Sequence, residues 1–69
     1  MTQTDYKCMK LILEKQPCMV FRIPGNKPGF CTEVHKDGRE YAVYSCWPNG
    51  RDCIATSYSL DKLKYLFVD

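Results

Sequence analysis

A chain of 69 residues, 45% hydrophobic and 26% charged, has the composition of one small globular domain and not of a disordered or membrane-embedded segment. A formal charge of +2 falls short of the basic stripe that marks a dedicated nucleic-acid binder. No apolar run approaches the roughly 20 residues that cross a bilayer, and the opening "MTQTDYKCMK" lacks the basic segment and apolar block of a secretory signal, so the reading is a cytoplasmic protein without a membrane partner.

From Thr4 to Gln16 the sequence predicts an amphipathic helix. Cys8, Met9, Leu11, Ile12 and Leu13 form a broad apolar face, and Lys7, Lys10, Glu14 and Lys15 take the solvated side. Thr2 or Thr4 caps its start and Pro17 stops it. The segment after Cys18 then alternates, with Met19, Phe21 and Ile23 on one face and Cys18, Val20 and Arg22 on the other, until Pro24 and Gly25 end it. "PGNKPG" lacks the glycine-lysine-serine/threonine ending of a phosphate loop and is read as an exposed connection.

Alternation resumes in "FCTEVHK", with Phe30, Thr32 and Val34 on one face and Cys31, Glu33 and His35 on the other. Asp37 and Gly38 are the expected hairpin turn; a two-residue loop sets Val34 against Tyr41 and His35 against Glu40, and a three-residue loop shifts this pairing by one. "PNG" suits a three-residue loop with Gly50 in the left-handed region, and "RDCIATSYS" is the strand that follows. The end, "SLDKLKYLFVD", reads either as a helix capped by Ser59 or as one turn followed by a closing strand. The turn plus strand is preferred.

The fold class expected is therefore α+β: one domain with a helix over about residues 4–16 and a small, strongly bent antiparallel sheet of four to five strands over about 18–68. "PGFCTEVHKDGREYAVYS", together with "YSLDKLKYLF" downstream, resembles the small SH3-like barrels, the group that includes Tudor modules. The resemblance spans Cys18 to Val68 and rests on the spacing of strands and turns. It implies a recognition unit and not an enzyme.

The five cysteines stand 10, 13, 15 and 7 positions apart, with no CxxC and no paired framework, so reduced thiols are expected. Cys31, His35, Cys46 and Cys53 invite a zinc reading. But positions four apart on one strand are separated by about 13 Å, whereas zinc draws its ligand atoms to about 2.0–2.3 Å, so no metal or other cofactor is expected. The same distance separates Cys31 from His35 as a nucleophile and base; only Cys46 or Cys53, brought across the sheet, could substitute, and no catalytic residue is assigned.

The remaining signal is aromatic and basic. Tyr41, Tyr44, Trp47 and Tyr58 come from the central segments, and Lys36, Arg39 and Arg51 flank the hairpin tips. Tyrosine, tryptophan and arginine anchor protein interfaces and stack on unpaired bases. The predicted binding surface is Trp47, Arg51, Tyr44, Arg39, Lys36 and Tyr58, centred on Trp47 and Arg51. The function expected is a non-catalytic module, a monomer or small homo-oligomer, that binds and modulates another protein. The alternative is a small nucleic-acid-binding barrel.

Overall fold

A computed structural model describes residues 1–16 and 19–68. Pro17 and Cys18, expected to stop the helix and open the first strand, lie outside the described residues. Helix α1 (Gln3–Lys15) begins at a capping box: the Thr2 hydroxyl accepts from the Asp5 N–H at 3.1 Å, and the Asp5 carboxylate accepts from the Thr2 N–H. Two backbone donors that no earlier turn can satisfy thereby find partners.

The buried stripe of α1 is Tyr6, Met9 and Leu13. Cys8 is exposed, Leu11 is 55% exposed and Ile12 37%, so three of the five residues expected inside lie outside the core. The cause is Tyr6. Its ring stacks on Phe67 with centroids 6.0 Å apart, and its hydroxyl donates to Asp61. This amphipathic anchor turns the helix until residues three and seven positions after it face the sheet.

Four strands follow: β1 (Val20–Pro24), β2 (Cys31–Asp37), β3 (Glu40–Trp47) and β4 (Gly50–Ser57). They form one antiparallel meander in the order β1-β2-β3-β4 that is not closed into a barrel. The first hairpin turns on Gly38 and Arg39, one position later than expected, because Asp37 pairs with Glu40. Val34 consequently faces Val43, and His35 faces Ala42. Gly38 has φ +64°, the left-handed conformation that glycine reaches without a Cβ clash. Since the slip moves the pairing by two residues, every side chain keeps its predicted face.

The second hairpin also has a two-residue loop, Pro48 and Asn49, closed by Trp47 opposite Gly50. Gly50 does not take a positive φ, and the expected bulge lies elsewhere. Val43 pairs with Ala55 and Tyr44 with Cys53, which leaves Ile54 as the extra residue on the edge strand. The β1–β2 loop leans on this hairpin: Gly29 has φ +81°, and a Cβ there would lie 2.6 Å from Pro48 Cγ.

The C-terminal segment is a 3₁₀ helix, Leu60–Leu66, and no fifth strand occurs among the described residues. The preferred turn plus strand is thus replaced by the helical alternative. Leu60, Leu63 and Leu66 recur every third residue, which suits three residues per turn, and Leu60, Leu63 and Phe67 are buried. Ser59 occupies the N-cap position without a side-chain cap hydrogen bond. Both helices cover one face of the sheet, with Met9, Leu13, Val34 and Val43 fully buried between the layers.

Candidate functional site

With the helices on one face, the other is left to the alternate residues of every strand. The register lines up Arg22, Glu33, Tyr44 and Cys53 in one row across β1 to β4. Neighbouring rows on that face hold Cys31, Cys46 and Arg51 to one side and His35 and Ala42 to the other. Glu33 is the centre of this surface and is 7% exposed, although it lies on the side away from the core.

Three donors cover its carboxylate. Arg22 Nη2 donates to Oε2 at 3.0 Å, Arg51 Nη1 donates to Oε1 at 3.1 Å, and His35 Nε2 meets Oε1 at 3.0 Å. A carboxylate withdrawn from water survives only if its lone pairs are taken up by such partners. The hydrogen bond from His35 is the largest influence on its acidity. Together with those from Arg22 and Arg51 it outweighs burial and holds the Glu33 carboxyl down at about 2. The aromatic wall is Tyr44, whose ring lies 4.4 Å from that of His35 and 5.0 Å from the Arg51 guanidinium.

Beside this cluster is a thiol pair. Cys31 and Cys46 are direct cross-strand partners, and their sulfurs and a Glu33 carboxylate oxygen all lie within 4.8 Å of one another. Spacing along β2 separates Cys31 from His35, but pairing across the sheet closes the gap between Cys31 and Cys46. The Cys46 thiol pKa is raised, first by burial and then by Cys31 and Glu33. Arg22, Arg51 and Trp47 border the same shallow hollow, of about 450 Å³.

The six predicted binding residues separate. Arg51 donates to Glu33 with the Tyr44 ring against its guanidinium, and half-buried Trp47 borders the hollow beside Arg51, with its indole 3.6 Å from where a Cβ on Gly50 would lie. Lys36 instead covers the Tyr41 ring at 5.4 Å, as the partner of Tyr41 in the register. Arg39 stands at the first hairpin tip, and Tyr58 is 76% exposed beyond the end of β4. Lys10, placed on the solvated side of α1, forms an ion pair with Asp61 at 3.2 Å.

Arg22, Glu33 and the thiol pair escape sequence reasoning. Alternation places Arg22 on the face of Val20 and Glu33 on that of Cys31, but which strands become neighbours is not a local property. Comparison of the chain with family models, curated proteins and solved structures finds no match.

Proposed function

We propose that the chain is a non-catalytic interaction module that binds another protein through the outer face of its sheet. The observation that carries this reading is that one buried carboxylate holds Arg22, His35 and Arg51 together, with the Tyr44 ring packed against His35 and Arg51. Arginine and tyrosine are among the side chains that dominate binding energy at interfaces. Arg51 and Arg22 remain 55% and 69% exposed at their side chains, so their outer edges are free to meet a partner. Restraint by Glu33 reduces the side-chain entropy that binding would otherwise cost.

The surface suits a partner that offers carboxylates to the guanidiniums and an apolar side chain to Tyr44 and Trp47. Affinity capture from the native host with the purified chain identifies the partner. Arg51→Ala and Tyr44→Ala should each weaken its binding at least tenfold while the fold is kept. Full retention of affinity by both variants rejects the surface.

A second reading, single-stranded nucleic acid, draws on Trp47 and Arg51 at the hollow and on the Tyr44 ring against the Arg51 guanidinium, stacking surfaces beside a cation. Titration of an oligonucleotide across a salt series separates the two. Nucleic-acid binding weakens steeply with salt because counterions are released. Binding that is absent at low salt leaves the protein partner.

A further inference from the structure

We infer that Cys31, Cys46 and Glu33 form a binding site for zinc or a similarly thiophilic divalent ion, at the edge of the surface described above and independent of the partner it binds. The starting point is the register. Cys31 and Cys46 face one another on adjacent antiparallel strands, and Glu33 is two residues along β2 on the same face. Two thiol sulfurs and a carboxylate oxygen within 4.8 Å of one another already approximate one face of a coordination tetrahedron. At a zinc–sulfur distance of about 2.3 Å, two sulfurs of a tetrahedral site are about 3.8 Å apart. The donors therefore need to close by at most about 1 Å, which small side-chain rotations on rigid strands supply.

The donor chemistry and its surroundings agree. Two thiolates and a carboxylate bring three negative charges to two positive, and the guanidiniums of Arg22 and Arg51 beside them offset the excess. Among the described residues Glu33 Oε1 takes donors from His35 and Arg51 and Oε2 takes one from Arg22, which leaves Oε2 a lone pair for a metal. Ligating carboxylates in metal sites are normally held by just such outer partners. Three protein ligands bordering a hollow leave a fourth position for water. Cys8 and Cys53 are exposed and stand outside this cluster, so they serve as internal controls.

The test uses the full chain, reduced with a non-coordinating phosphine and titrated with cobalt(II) as a spectroscopic probe. The expected result is one equivalent bound, with thiolate-to-cobalt charge transfer, the intense visible bands of tetrahedral cobalt, and displacement by one equivalent of zinc. Cys31→Ser and Cys46→Ser should each abolish the signal. Cys8→Ser and Cys53→Ser should preserve it, and Arg51→Ala should weaken binding about 10- to 100-fold. Cys31 is only partly buried, so Cys31→Ser, checked by circular dichroism for native fold, decides the matter if Cys46→Ser does not fold. Weak octahedral spectra, or charge transfer that survives in folded Cys31→Ser, overturn the site. So does a fully reduced chain that binds no cobalt. None of these outcomes bears on partner binding by Arg51 and Tyr44.

Discussion

Replacing Glu33 with glutamine keeps the side chain's shape and removes the charge on which Arg22, Arg51 and His35 converge. The carboxyl is lowered from its ordinary 4.5 to about 2 in the folded chain, which stabilises the fold at neutral pH by at most roughly 3 kcal/mol. Both guanidiniums are more than half exposed, so solvent screening reduces this to about 1–2 kcal/mol. The folded value lies below the unfolded one. The stabilisation is therefore complete above about pH 4.5 and is lost as the pH falls toward 2. Urea unfolding of both chains at several pH values measures the difference directly. Wild type should be the more stable by about 1–2 kcal/mol at pH 7, with the gap closing near pH 2. Asp61, whose carboxyl is also lowered, first by the Tyr6 hydroxyl and then by Lys10, is common to both chains and cancels. A gap of equal size at pH 2 and pH 7, or none at pH 7, would refute the view that ionised Glu33 organises this face.

Two further pairs of substitutions test the architecture. Met9→Ala removes a fully buried side chain and should cost about 2–5 kcal/mol, whereas Leu11→Ala, on the exposed side of α1, should stay within about 0.5 kcal/mol of wild type. Similar losses for both in thermal unfolding would put the helix in the wrong rotation. Gly29→Ala combines a positive φ with a contact of 2.6 Å to Pro48, and should destabilise by more than about 1 kcal/mol. Gly50→Ala meets nothing closer than the Trp47 indole at 3.6 Å and takes no positive φ, so its melting temperature should be close to that of wild type. The reverse order would move the left-handed position to the second hairpin.

Much of the fold was legible because it depends on chemistry within a few residues of itself. Thr2 caps its own helix through Asp5, the alternation of "CTEVHK" sorts Val34 from Glu33, and glycine and proline punctuate the hairpins within a position of where they occur. The α+β class, the helix and the four central strands follow from these signals. The resemblance to small barrels rests on the same spacing, and the expected closing strand is instead a 3₁₀ helix laid over the sheet. Both period-two and period-three patterns run through "SLDKLKYLF", and packing against α1 selects the second.

What only the tertiary structure decides is which distant residues meet. Five apolar residues crowd one stretch of α1, so periodicity leaves its rotation open, and the contacts of Tyr6 with Phe67 and Asp61 choose it. Cys31 and His35 stand four residues apart along β2, but spacing along one strand leaves open which side chains pairing brings together across the sheet. There the register brings Cys46 to Cys31 and lets Arg22 and Arg51, 11 and 18 residues from Glu33, share its carboxylate. A strand's own sequence determines which way its side chains point. Only the pairing of strands, set by loop geometry and the burial of one face, determines what they point beside.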